Sequence, residues 1–201
     1  DYKFYLKDFK NCDIVFNALH GPIGEDGTIQ LWFEKNNIAY TGSGPNSSAV
    51  CMDKNSSKKI IKDLGYNTPR WDLVGQKINY SSIDYPCIVK PNSQGSTYGL
   101  SIVNDADELD QAVSYAKKYD SRVLIEKYIY GREITVGRLA GKALPIVEIK
   151  PQNALYDYEC KYTPGMSSYS CPAKFNDEIA SRIKLDSESI FKALGCKGYG
   201  R

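Results

Sequence analysis

Lys90 is the cation that this sequence sets up best for chemistry. It ends the apolar run Cys87-Ile88-Val89, and the loop Pro91-Asn92-Ser93-Gln94-Gly95-Ser96-Thr97-Tyr98-Gly99 follows it directly. Leu100-Ser101-Ile102-Val103 resumes the apolar pattern, so the loop reads as the connection of a β-hairpin. Proline has no N–H to give to a neighbouring strand, so the first strand should stop at or just after Lys90. Glycines at 95 and 99 let the backbone approach a guest and aim N–H groups at an anion. The Lys90 ammonium and the hydroxyls of Ser96 and Thr97 add donors, and phosphate is the guest that suits them. A plain turn with a solvated lysine is the competing reading.

Other candidates are scattered. Lys54 is a second cation, ordinarily solvated but a possible ligand contact. Glu126 sits at the end of the apolar run Val123 to Ile125, where a carboxylate needs a partner to offset desolvation. That partner is either a ligand hydroxyl or amine, or an ion pair with Lys127, Arg132 or Arg138. Glu133 follows across a turn containing Gly131. Lys161-Tyr162 could bring a cation and a phenol over a site, and Arg201 ends the chain on an expected strand; each also suits a surface. His20 follows the apolar run 13–19 and reads as a satisfied loop histidine or a substrate contact. No G-x-x-x-x-G-K-[ST] loop, no G-x-G-x-x-G after a strand and no G-x-S-x-G elbow is present, which disfavours Walker-type, dinucleotide and α/β-hydrolase chemistry.

These residues need elements to hold them. Asp13 to Leu19 reads as a buried strand, Thr28 to Asn36 as a helix and Ile38 to Thr41 as a short strand. That is the βαβ order of a parallel sheet, with His20 and Ser43 at carboxyl ends, where ligands collect. Residues 46–64 read as a helix in two pieces, closed by Gly65. Residues 75–85 are polar and read as a linker. Asp105 to Tyr119 is amphipathic, with Leu109, Ala112, Val113 and Ala116 on one face. The strands 122–128, 132–140 and 143–149 then complete one antiparallel meander on that helix. Residues 150–172 show no period and read as one long functional loop, rich in tyrosine and suggestive of an aromatic-lined site. Asn176 to Leu194 is a helix with Asn176 as its N-cap and Gly195 beyond its end. The expected divisions are 1–66, an α/β unit on the substrate side, 67–149, a central lobe, and 150–201, the start of a third.

Composition sets outer bounds. A net charge of +2 over 201 residues argues against nucleic acid or an anionic membrane as partner. No run reaches the length of a membrane helix. The cysteines at 12, 51, 87, 160, 171 and 196 form no C-x-x-C, and buried free thiols in a reducing compartment, the cytoplasm, fit better than a disulfide framework. A single histidine excludes a His-rich metal site. Three Asn-x-Ser triplets, at 46, 55 and 79, are read as chance without an export signal. The start without methionine and the end at Gly198-Tyr199-Gly200-Arg201 suggest a fragment at both ends.

Taken together, an ordered set of short motifs resembles one family. It comprises Asn17-Ala18-Leu19-His20-Gly21 with Gly24-Glu25-Asp26-Gly27-Thr28, then Tyr40-Thr41-Gly42-Ser43-Gly44, Met52-Asp53-Lys54 and Val89-Lys90-Pro91. Tyr156-Asp157-Tyr158-Glu159 with Lys161-Tyr162, Cys171-Pro172-Ala173 and Leu194 to Arg201 complete it. The set resembles the D-alanine–D-alanine ligases, ATP-grasp enzymes of peptidoglycan synthesis, over nearly the whole chain. Each motif alone is weak and their order is specific.

The resemblance implies an ATP-grasp fold: an α/β N-terminal unit, then α+β lobes that hold ATP between them, the last incomplete. It implies that Lys54 and Lys90 hold ATP phosphates and that Gly95, Ser96 and Thr97 cover them. Glu126 and the backbone from Lys127 to Ile129 would meet adenine, Glu133 the ribose, and Lys161 the γ-phosphate. Arg201 would stabilise an oxyanion, Ser96 and Tyr162 would pair beside the second of two D-alanines, and His20 would lie near the substrates. Gln94 and Thr97 depart from the family's commoner acidic residue and serine, but keep hydrogen-bonding ability. A glutamate before Asp1 and the ligands of Mg2+ (or Mn2+) beyond Arg201 would be missing, so the chain alone is expected to lack ligase activity. The whole protein would be a cytoplasmic homodimer. The alternatives are another ATP-grasp carboxylate–amine ligase and a nucleotide-binding module without catalysis.

Overall fold

The computed structural model describes residues 2–74, 84–153, 156 and 158–201. A 3-10 turn (Tyr2–Tyr5) leads into α1 (Leu6–Lys10), α2 (Thr28–Lys35), α3 (Pro45–Met52) and α4 (Lys54–Asp63). Then come β1 (Trp71–Val74), β2 (Cys87–Pro91), β3 (Ser101–Val103), α5 (Ala106–Ala116) and β4 (Val123–Lys127). The remainder is β5 (Glu133–Leu139), β6 (Lys142–Pro151), α6 (Tyr158–Tyr162), β7 (Ser167–Ser170), α7 (Asp177–Ala193) and β8 (Tyr199–Gly200).

The α2, α3–α4, α5 and α7 helices lie where the sequence pattern puts them, and the caps explain their ends. Asp53 separates α3 from α4 and accepts the Ser56 N–H at 2.8 Å. Asp105 caps α5, and Asn176 caps α7 through the Ile179 N–H at 2.8 Å. Gly65 and Gly195 take φ of +82° and +70° just past α4 and α7, the left-handed turn that stops a helix.

The expected single meander is two sheets. One has the order β1-β4-β2-β3, the other β7-β6-β5-β8, and every pairing in both is antiparallel. The chain leaves the first sheet after Lys127 and enters the second at Glu133, a break that a run of strand-like segments does not reveal. β1 spans only four residues, too short an alternation to mark a strand in the sequence.

Alternation sorts the first sheet cleanly. Cys87, Val89, Val103, Val123 and Ile125 face α5 and pack with Leu109, Ala112, Val113 and Ala116. Ile88, Lys90, Leu124 and Glu126 therefore point to the other face, toward α4.

The N-terminal α/β reading holds in reduced form. Val15 and Tyr40 make one parallel bridge around α2, not a sheet. The expected buried strand is also corrected: Ile14, Phe16 and Leu19 are exposed, because no second strand covers that run among the described residues. Ile29, Phe33 and Ile38 form the buried core of this unit. Residues 150–172 are not one loop either. β6 runs on to Pro151, α6 makes a turn of helix, and β7 forms a polar edge strand whose Ser-Ser-Tyr-Ser sequence carries no apolar alternation. Most of the expected linker at 75–85 and the triplet at Asn79 lie outside the described residues. All the cysteines are free, but only Cys87 and Cys160 are buried, while Cys12, Cys51 and Cys171 are exposed.

Candidate active site

The far face of the first sheet carries a buried ionic knot. Glu126 lies opposite Ile88, so Lys90, two residues along β2, is its diagonal neighbour on the same face. The Lys90 ammonium donates to one Glu126 oxygen. Lys58, from α4, donates to the other at 2.8 Å and to the Thr68 hydroxyl at 2.7 Å. The anticipated ion-pair partners of Glu126 are thus corrected. Lys127 points to the opposite face, Arg132 pairs with Glu148, and Arg138 pairs with Glu188. Burial pushes the Glu126 carboxyl up, but Lys90 and then Lys58 outweigh it and hold the group below the usual carboxylate range. Burial also lowers Lys58.

Lys54 joins this knot through the backbone. Its ammonium donates to the carbonyls of Asn92 at 3.2 Å and Gln94 at 2.5 Å. Burial first, and the nearby Lys90 charge second, depress it to about 8. The wholly buried Asn92 ties the same two elements. Its side-chain oxygen accepts the Asn55 N–H at 2.9 Å, and its carbonyl accepts the Lys54 N–H at 3.1 Å.

The loop after Asn92 is held in an unusual backbone. Ser96 and Thr97 have φ of +51° and +65°, the left-handed region that side chains, β-branched ones above all, disfavour. Gly99 is the glycine the loop does require: φ is +69°, and a Cβ there would lie 2.7 Å from the Tyr119 ring and 2.8 Å from the Pro91 ring. Across the loop stands α6. The Ser96 and Tyr162 hydroxyls are 3.2 Å apart, Thr97 donates to the Tyr156 carbonyl at 3.2 Å, and the Lys161 ammonium donates to the Thr97 hydroxyl.

Beside these groups opens a cleft of about 890 Å³. His20, Ser43, Lys54, Gly95 and Arg201 line it, with Ile134, Val136 and Phe191 as apolar wall. Arg201 gets there because the preceding segment docks on the N-terminal unit. The Lys197 N–H donates to the Ser43 hydroxyl at 3.0 Å, and the Tyr199 hydroxyl to the Asn17 carbonyl at 3.3 Å. The tyrosines around 156–169 do not line this cleft. Tyr158 bridges Tyr162 to Tyr98 through tilted ring contacts, and Tyr98 stacks on Tyr119, in an outer cluster. Lys127, Ile129 and Glu133 are exposed where the chain passes between the sheets. The Lys127 and Tyr128 N–H groups are already given to the Arg70 and Pro86 carbonyls.

Comparison with known proteins decides the family. The profile described as D-ala D-ala ligase C-terminus matches residues 68–201, and that described as D-ala D-ala ligase N-terminus matches residues 3–43. The chain belongs to the D-ala D-ala ligase family. The D-alanine--D-alanine ligase of Syntrophotalea carbinolica is 42% identical over 191 residues, covering 94% of this chain and 63% of that protein. The crystal structure of the ligase from Bacillus anthracis superposes with a TM-score of 0.87 at 39% identity, covering 99% of this chain and 67% of that one. The same organism's ligase complexed with ATP gives 0.85 at 36% identity, covering 99% and 65%. The fold is therefore ATP-grasp, and the chain spans roughly two thirds of the length of these relatives.

The structure gathers most of the expected residues into three neighbouring groups: Lys54, Lys90 and Glu126 in the knot, Ser96, Thr97, Lys161 and Tyr162 at the loop, and His20, Gly95 and Arg201 at the cleft; Lys127, Ile129 and Glu133 join none of them. Lys58 and Asn92 escaped sequence reading. Lys58 had a signal, lying four residues from Lys54 on the same helical face. Asn92 had none, since its role is to satisfy backbone that only the fold brings near. Among the described residues no group of three His, Cys, Asp or Glu could hold a metal ion.

Proposed function

We propose that the protein carrying this chain joins two D-alanines into D-alanyl-D-alanine at the expense of ATP, in the cytoplasm and for peptidoglycan synthesis, acting as a homodimer. The observation that carries the reading is the meeting of the phosphate-type loop with α6, Ser96 against Tyr162 and Thr97 against Lys161, beside a cleft holding Arg201. A magnesium ion bound with ATP would neutralise phosphate charge. The described residues supply no ligand set for it, so the roles below belong to the chain's own groups.

Lys54 and Lys90 hold the ATP phosphates, with Gly95, Ser96 and Thr97 folding over them. Glu126 and the backbone at Lys127 to Ile129 meet adenine, and Glu133 the ribose. Lys161 reaches the γ-phosphate. A D-alanine carboxylate oxygen attacks the γ-phosphorus, ADP leaves, and an acyl phosphate results. The amine of the second D-alanine attacks the acyl carbon, and phosphate leaves. Arg201 steadies the oxyanion formed in that attack, as a cation beside developing negative charge does. Ser96 and Tyr162 orient the amine and relay the proton it loses toward the departing phosphate, and His20 borders the substrates. The absence of any helix long and apolar enough to cross a membrane among the described residues, and the free thiols, suit the proposed compartment.

The test is ADP release by that protein with D-alanine, D-lactate, L-amino acids or glutathione precursors as substrate. D-alanine-dependent release with D-alanyl-D-alanine as product is expected. Dependence on another acid overturns the substrate, and ATP binding without any acid-dependent turnover overturns catalysis.

A further inference from the structure

Two thiols from distant parts of the chain stand side by side. Cys51 is in the last turn of α3, and Cys196 follows the left-handed Gly195 that ends α7. Their sulfurs are 3.6 Å apart across 145 positions of sequence. The Ser47 hydroxyl donates to the Cys196 sulfur at 3.2 Å, aiming a donor at the atom that must carry negative charge before it can attack. Both cysteines border the cleft, with Cys51 exposed and Cys196 half-buried, so a small oxidant reaches them. A disulfide needs about 2.0 Å between sulfurs, so a shift on the order of 1.5 Å joins them.

We infer that Cys51 and Cys196 form a dithiol site that a peroxide converts to an intramolecular disulfide. The Cys196 thiolate attacks one peroxide oxygen, the O–O bond breaks, and the departing hydroxide takes up a proton. The Cys51 sulfur, giving up its proton, then attacks the resulting sulfenic sulfur and expels hydroxide, which leaves as water. Two thiols and one hydrogen peroxide give one disulfide and two waters. The new bond staples α3 to the segment that runs through Tyr199 to Arg201. That segment is otherwise attached to the N-terminal unit by hydrogen bonds to Ser43 and Asn17 and by ring contact with Phe16. The inference stands apart from the ligase reading, since it uses no substrate of that reaction.

The experiment treats the reduced protein carrying this chain with hydrogen peroxide, alkylates the remaining thiols, and maps the peptides by mass. A cross-linked pair containing Cys51 and Cys196, lighter by two hydrogens, is expected, with a thermal midpoint that rises and falls back on reduction. Cys51→Ser abolishes both changes. Should that variant not fold, the peptide map of the unaltered chain still decides. Alkylation of both Cys51 and Cys196 after peroxide, or their separate oxidation to sulfinic acids, overturns the inference.

Discussion

The knot around Glu126 stands at the start of the loop on which Ser96 meets Tyr162, yet the two are built in opposite ways. In the knot, side chains of Lys58, Lys90 and Glu126 are between 10% and 20% exposed and bear full charge. Each charge is tolerated only because the others compensate its desolvation. At the other end of the loop, two neutral hydroxyls meet in the open, with Tyr162 exposed. Losing one there strands no charge. The first arrangement presets a cationic floor before any guest arrives, and the second can part and re-form as something enters. An anion arriving at Lys90 competes with a carboxylate already there, so the knot holds the lysines in place with a stand-in charge.

The contrast is sharpest when each side is broken. Glu126→Ala should cost the most, about 3 kcal/mol, since it leaves two lysines partly buried without their counter-charge. Urea titration reads this as a lower midpoint at unchanged slope, and a loss under about 1 kcal/mol would mean that the lysines simply turn to water. The next effect is a pH dependence. Lys54 titrates near 8 in the folded chain and near its ordinary 10.5 when unfolded, so the unfolded state binds more protons between those values. Stability from this group is therefore lowest below pH 8, rises toward 10.5 and is level above it. The difference in unfolding free energy between the natural chain and Lys54→Gln should grow over that window; a flat difference refutes the assignment. Tyr162→Phe should have the smallest effect on stability, within about 0.5 kcal/mol, as for other exposed positions. In the protein carrying this chain it should still cut D-alanine-dependent turnover at least tenfold. Equal loss of stability and turnover would erase the distinction between floor and lid.

What sequence reading delivered follows the same divide. The α5 face of Leu109, Ala112, Val113 and Ala116, the N-cap at Asn176, and the apolar strand carrying Lys90 were legible because they are local patterns, although that strand runs one residue further, with Pro91 paired to Val123. The two-sheet division was not, since nothing between Lys127 and Glu133 announces a change of partner. The buried strand expected at 13–19 failed because an apolar run reports what could be covered, not what covers it. Pairing of Ser96 with Tyr162 came from the family resemblance, and the geometry agrees. The partners of Glu126 were beyond reach, because Lys58 meets it from an element 68 positions away. Ser96 and Thr97 also take positive φ in this loop, which their residue types do not announce.

The alignment of β2 with β4 gives Glu126 one more consequence. Sliding either strand by a single residue would carry its side chains to the opposite face. Were β4 the strand that slid, Glu126 would enter the layer of Val89, Val103 and Val113 under α5, while Lys90 and Lys58 lost their counter-charge. Apolar strands such as Val-Leu-Ile and Cys-Ile-Val tolerate many alignments almost equally well. One carboxylate makes the misaligned versions costly, so Glu126 serves the folding chain as a proofreader of strand alignment before it serves any ligand.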